Sequence, residues 1–202
     1  MAVQGNIIYS EKPKSITYDD IHDLLWKAND QNRKKGFVLA TSKMSGQELQ
    51  ARIGDDGHCF VALSGSQLVG TLSLRYINRN KWYANGKIAD YILAGVHPEF
   101  RGQHVNSHLS ELFFETAIKE GYNVVELDTA ENNTHAIEVY KHLGFKLVSY
   151  KANQGGDHYS VIMVKWLERC PYSNRYCAIM FGLKRIYIRF RYKANKEKRF
   201  GI

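Results

Sequence analysis

Apolar residues recur along this chain with two different periods, and the alternation between them outlines most of the elements. Ile7, Ile8 and Tyr9 predict a short first strand, and Ile21, Leu24, Leu25 and Ala28 follow at helical spacing. Thr17 and Asp20 stand where a capping box opens that helix, and Gly36 is the expected stop. Ser45 and Glu48 form a second box, opening a short helix that ends near Gly54. Two strand signals come next, CFVAL and LVGTLSLRY, joined by a turn at Ser64–Gly65–Ser66. The polar stretch 80–88 reads as a loop. IADYILAGV then predicts a strong strand ending at Pro98, because proline cannot continue an interior ladder.

The second half repeats the alternation. Leu109, Leu112, Phe113, Thr116 and Ala117 mark a helix closed by Gly121, and VVELDT is another strand. THAIEVYKHL is another helix, with Gly144 in the position of a helix C-terminal glycine. KLVSY and HYSVIMVKW read as two last strands around a Gly155–Gly156 loop. The elements alternate without being strictly βαβ, so the expected class is mixed α/β, a partly antiparallel twisted sheet flanked by helices.

Composition supports a folded domain: 202 residues, 44% hydrophobic and 24% charged, enough to bury a core without a disulfide or metal staple. Three cysteines with no CxxC pair, no apolar run near 18 residues and no apolar leader stretch predict a reduced, cytoplasmic protein. Charge divides the chain. Residues 1–167 hold 18 Lys+Arg against 18 Asp+Glu, whereas residues 168–202 hold ten against two, so the whole net charge of +8 lies in the last segment. We therefore expect a domain over 1–167 and a basic, aromatic C-terminal extension over 168–202.

The most informative chemistry lies between Val96 and Phe145. A strand, a tight segment (Arg101-Gly102-Gln103-His104-Val105-Asn106-Ser107) and a helix follow one another. That order presents unpaired backbone N–H groups at a helix N-terminus, a ready site for phosphate oxygens. A strand follows about twenty residues on, and after it Asn133, Ala136, Tyr140, Gly144 and Phe145 form a second spaced set. No Ser-His-Asp order and no metal-ligand cluster competes, so no metal is expected.

Together the two segments resemble the central motifs of the GNAT N-acetyltransferase family, V-x-P-x-x-R-G-x-G-x-G and N-x-x-A-x-x-x-Y-x-x-x-G-F. The second is intact; in the first, His104 and Asn106 stand where the family has glycines. Asn106 is expected to serve as the helix N-cap, and His104 either donates to a phosphate or marks a weakened site. The resemblance implies acetyl-CoA as co-substrate. Its pantetheine arm is expected along Ala94, Gly95 and Val96, one N–H there polarising the thioester carbonyl. Its pyrophosphate is expected on Arg101 to Ser107, with Asn133 and Tyr140 also at the cofactor. It further implies direct attack by an amine of a small molecule or peptide, with Tyr140 as general acid toward the departing thiolate. Asp128 is the first candidate base, ahead of Asp90 and Glu131. The acceptor is expected to be read by residues 29–57 and by the last loop, through Asp157 and His158. A second reading, motivated by His104 and Asn106, is a catalytically weakened acyl-CoA-binding adaptor acting through its basic tail.

The tail itself stays open. Ile186, Ile188, Phe190 and Tyr192 would share one face of a strand, but Ile179, Leu183, Ile186 and Phe190 fit a helix stripe equally well. Packing on the body or on a second copy in a homodimer is one expectation, favoured by those apolar residues. Contact of residues 184–199 with an anionic membrane or nucleic acid is another, and a disordered end the third.

Overall fold

In the computed structural model of the chain, residues 6–34, 40–152 and 159–200 are described, without side-chain detail at 40, 42, 85, 86 and 194–200. The elements run β1 (Ile7–Glu11), α1 (Tyr18–Ala28), α2 (Asp30–Lys34), a 3-10 turn (Ala40–Lys43), α3 (Gly46–Ile53), β2 (His58–Ser64), β3 (Gln67–Lys81), β4 (Ala84–Val96), a second 3-10 turn (Pro98–Phe100), α4 (Val105–Lys119), β5 (Val124–Ala130), α5 (Thr134–His142), β6 (Lys146–Ala152), β7 (Tyr159–Trp166) and α6 (Asn174–Phe200). The expected mixed α/β class, strands flanked by helices, is what the chain adopts. It divides into two units, residues 1–79 with 86–122, and residues 80–85 with 123–202.

In the first unit the strand order is β1-β2-β3-β4, with β1–β2 and β2–β3 antiparallel. Successive residues of β2 point to opposite faces, and both faces are covered. Cys59 and Val61 join Ile21 and Leu25 of α1, Leu49 and Ile53 of α3, and Ile92 and Leu93 of β4 in one cluster. On the other face, Phe60 meets the ring of Phe113 of α4, centroids 6.4 Å apart. A sheet layer covered by helices on both faces explains why the interior of β2 is an unbroken buried run. Each fully buried leucine or isoleucine of that cluster contributes about 2 kcal/mol. Helix α4 comes very close to β3 at Gly70: a Cβ there would sit 2.6 Å from Val105 Cγ1, so only glycine lets the start of α4 seat on the sheet.

Both predicted capping boxes form. Thr17 exchanges hydrogen bonds with Asp20, and Ser45 with Glu48, each in both directions. The first helix ends earlier than expected. Asn29 caps α1, its side-chain amide donating to the Leu25 carbonyl at 2.8 Å, which closes the helix well before Gly36; Gly36 lies outside the described residues.

In the second unit the order is β5-β7-β6, both pairs antiparallel, with Asp128 opposite Ile162 and Tyr150 opposite Val161. The 80–88 stretch is not a loop: β3 continues to Lys81 and β4 begins at Ala84, leaving Trp82 and Tyr83 as the connection. Aromatic anchoring, which polarity does not reveal, explains this. The Tyr83 hydroxyl donates to Glu126 (2.8 Å), Trp166 Nε1 donates to the Tyr83 carbonyl (3.1 Å), and the Tyr172 hydroxyl donates to the Trp82 carbonyl (2.6 Å). At the other end of α5, the Phe145 N–H reaches the Tyr140 carbonyl and the Gly144 N–H the Lys141 carbonyl, with Gly144 at φ 91°. This is the complete Schellman closure expected at Gly144.

The extension resolves as helix. One face of α6 lies on β6: Cys177 is buried, Phe181 meets Tyr150 edge-on, and Arg185 and Arg189 pair with Glu131 at 2.5 and 2.7 Å. The residues that pack are not those expected to. Ile179, Leu183, Ile186 and Phe190 are 51–76% exposed, because at about 100° per residue they fall opposite Cys177, Phe181 and Ile188.

Candidate active site

The end of β4 changes direction at Leu93, a buried leucine with φ 54° inside a strand. A left-handed residue there re-aims the backbone that follows, as in a bulge. Ala94, Gly95 and Val96, the expected pantetheine-binding segment, come directly after this kink and are half-buried. The ladder closes at His97, whose N–H donates to the Val69 carbonyl at 2.8 Å, and the His97 side chain caps the short turn that follows. Leu93 was not singled out as a site residue, and no sequence signal marks it, since leucine is among the residues least expected in this conformation.

Beyond the turn, the chain takes two more left-handed positions, Gly102 at φ 76° and His104 at φ 58°. The second is the place of a family glycine. Histidine adopts the left-handed backbone regardless, at a cost of roughly 1–2 kcal/mol. His104, not Asn106, is therefore the residue before the first turn of α4, and it makes no side-chain cap. Asn106 lies inside the helix with its Oδ1 turned to the Tyr91 hydroxyl (3.2 Å), which also meets Ser110 Oγ (2.9 Å). The expected N-cap role of Asn106 is thus corrected: its side chain ties α4 to β4.

The first intrahelical bond of α4 runs from the His108 N–H to the His104 carbonyl. The N–H groups of Val105, Asn106 and Ser107 precede it and have no intrahelical carbonyl to bond. The first turn of α4 contains no carboxylate. Val105 contributes its buried side chain to packing. Gln103 is half-buried and donates weakly to the Glu99 carbonyl (3.4 Å). The Arg101 guanidinium donates to the Ala28 carbonyl at 2.7 Å, neutralising the negative end of α1. Exposed Gly102 and His104 beside the first N–H groups of α4, in a first turn without an acid, form a donor set that fits an anionic pyrophosphate.

In the second unit, Asn133 caps α5 by accepting from the Ala136 N–H at 3.5 Å. Tyr140 follows two turns along the same helix. Its ring meets Phe145 edge-on, and burial of the phenol, helped by the charge of Asp128, pushes its pKa up to about 12. Asp128, on β5, is half-exposed and carries the Lys151 ammonium 3.0 Å from Oδ2. The structure thus brings Tyr140 and Asp128 into one electrostatic neighbourhood.

The other two carboxylates are committed elsewhere. Asp90 is buried and accepts from Arg75, whose Nε lies 3.1 Å from Oδ2. This part-buried ion pair ties β3 to β4. Glu131 accepts from the Tyr150 hydroxyl and from Arg185 and Arg189. Burial works against its charge, but those hydrogen bonds and guanidinium charges outweigh it and hold its pKa below the usual range. Asp157 and His158 lie outside the described residues. Among the described residues, no cluster of His, Cys, Asp or Glu is arranged to hold a metal, and no helix is long and apolar enough to cross a membrane.

Comparison with known proteins meets this geometry. The chain is similar in structure to the ribosomal-protein-S18-alanine N-acetyltransferase of Escherichia coli, at 15% identity and TM-score 0.61, covering 81% of this chain and 96% of that one. It is similar to an aminoglycoside 6'-N-acetyltransferase complexed with coenzyme A, at 16% identity and TM-score 0.59 over 82% and 99% of the two chains. It is similar to an acetyltransferase of Streptococcus agalactiae, at 20% identity and TM-score 0.62 over 81% and 99%. At such identities the likeness carries the fold. No curated protein sequence matches the chain. The family model described as acetyltransferase (GNAT) family matches residues 18–145, which include both the left-handed loop before α4 and the Asn133–Phe145 segment, and the chain belongs to that family.

Proposed function

We propose that this protein is an acetyl-CoA-dependent N-acetyltransferase that acetylates an amine of a small molecule or peptide by direct attack. The observation that carries the reading is the start of α4, where left-handed Gly102 and His104 lead into three orphan N–H groups with no competing carboxylate. Acetyl-CoA supplies a thioester whose carbonyl the amine attacks and whose thiolate departs. The backbone of Gly102 to Ser107 binds the pyrophosphate, and the backbone of Ala94 to Val96, re-aimed at Leu93, orients the pantetheine and polarises the carbonyl.

Tyr140 keeps its proton at neutral pH, since its pKa of about 12 lies far above it. Full transfer to a thiolate of ordinary pKa, about 8.5, is uphill, so the phenol acts by hydrogen-bonding the sulfur as negative charge develops. Asp128, as the exposed carboxylate near Tyr140, takes the amine proton directly or through water. Asn133 fixes the start of the helix that carries Tyr140. Calorimetric titration with acetyl-CoA, followed by thiol release across a panel of small amines and peptides, tests the reading. Binding with amine-dependent release supports it. Binding without release from any amine would favour the adaptor reading, and no binding would remove both.

A further inference from the structure

Helix α6 shows two faces with different fates. The inner face packs on β6, while the outer carries Ile179, Leu183, Ile186 and Phe190, exposed by 51, 60, 70 and 76%. Tyr176 and Tyr187, exposed by 42 and 52%, widen that stripe. Spacings of four, three and four residues keep it straight along the helix over about 16 Å. At about 100° per residue, Lys184 and Arg191 border one edge, and Arg175 and Lys193 the other. Lys184 lies over the Tyr187 ring and Arg191 donates to the Tyr187 hydroxyl, so the basic edge and the stripe are continuous. Across the whole helix nine basic residues face one acid, Glu197.

We propose that the outer face of α6 docks the protein on an anionic lipid bilayer, the helix lying in the plane of the interface. The stripe enters the acyl boundary, and the bordering lysines and arginines reach the headgroups with their aliphatic stems along the apolar surface. Charge decides among occupants. A second copy would bring two basic edges together with one glutamate per helix to offset them. A nucleic acid would neutralise the edges but leave four aliphatic or aromatic side chains without an apolar partner. An anionic bilayer satisfies both the stripe and its borders, and α6 is too polar to span it.

Flotation of the full chain with vesicles tests this. Equimolar phosphatidylcholine and phosphatidylglycerol should carry the protein up, phosphatidylcholine alone should not, and salt should weaken but not abolish the binding. Ile186→Ser with Phe190→Ser should reduce partitioning by about tenfold or more at unchanged melting temperature, since neither side chain touches the core. Ile179→Ser with Leu183→Ser provides a second pair should the first misfold. Lys184→Glu with Arg191→Glu should weaken binding to the anionic vesicles. The proposal is overturned by no flotation with anionic vesicles, or by serine variants that float as well as wild type. It is equally overturned by a dimer that the serine variants dissociate, or by tighter binding to duplex DNA or RNA than to vesicles.

Discussion

The segment from Arg101 to Ser107 leads into helix α4, whereas the segment from Asn133 to Phe145 is helix α5 with its cap and closure, and the two stand differently against the family pattern. The first departs from its family pattern at His104 and Asn106, while the second keeps every patterned residue. On the proposed reading the working groups of the first are backbone N–H groups, and what they need is the conformation: His104 holds the left-handed position at φ 58° without being glycine. On the same reading the working groups of the second are side chains, the Asn133 cap and the Tyr140 phenol. A site built from backbone needs a conformation that more than one residue can adopt, and a site built from side chains needs particular groups.

The largest expected effect tests the backbone side. Gly102→Glu should abolish acetyl-CoA binding, because a Cβ there meets no protein atom within 4 Å but the new residue strains a φ of 76° and brings a negative charge to the proposed phosphate site. Unchanged affinity would remove the phosphate-site assignment. Tyr140→Phe should lower turnover on the order of 10²-fold, since only a hydrogen-bond donor is lost. With the phenol pKa at about 12, loss of that proton sets in only as pH approaches 12. The pH profiles of wild type and variant should therefore run parallel up to pH 10; a wild-type decline near neutrality that the variant lacks would contradict this.

Asp128→Asn should move the activity profile to higher pH, where more of the amine is already deprotonated, while leaving the melting temperature nearly unchanged. Asp90→Asn should do the reverse, lowering the melting temperature by loosening the Arg75 pair with little change in the pH profile. If Asp90→Asn alone shifts the profile, the two roles are exchanged. The smallest effect is expected for His104→Gly, whose acetyl-CoA affinity should be equal or slightly tighter, because glycine adopts the same left-handed backbone and removes a side chain that can crowd the pyrophosphate. A clear loss would show that the imidazole itself holds a phosphate.

Much of this division was legible in the sequence where a local rule fixes a local geometry. The Thr17–Asp20 and Ser45–Glu48 boxes and the closure at Gly144 follow from hydrogen bonds within a few residues. Features decided by distant partners were not. The connection at Trp82 and Tyr83 is held by Glu126, Trp166 and Tyr172, so its polar surroundings misled. The outer stripe of α6 looked like a packing face because hydrophobicity records the wish for an apolar partner and not which partner is met. Leu93 carries no signal at all, and Asp90 could not be told from a free carboxylate until Arg75 appeared beside it.

The separation of binding from chemistry is most directly tested by calorimetric titration of acetyl-CoA into Tyr140→Phe beside wild type. The predicted result is one site per chain with the same affinity in both proteins. An affinity lower by tenfold or more in Tyr140→Phe, at equal melting temperature, would contradict it, because the phenol would then be part of the grip on the cofactor.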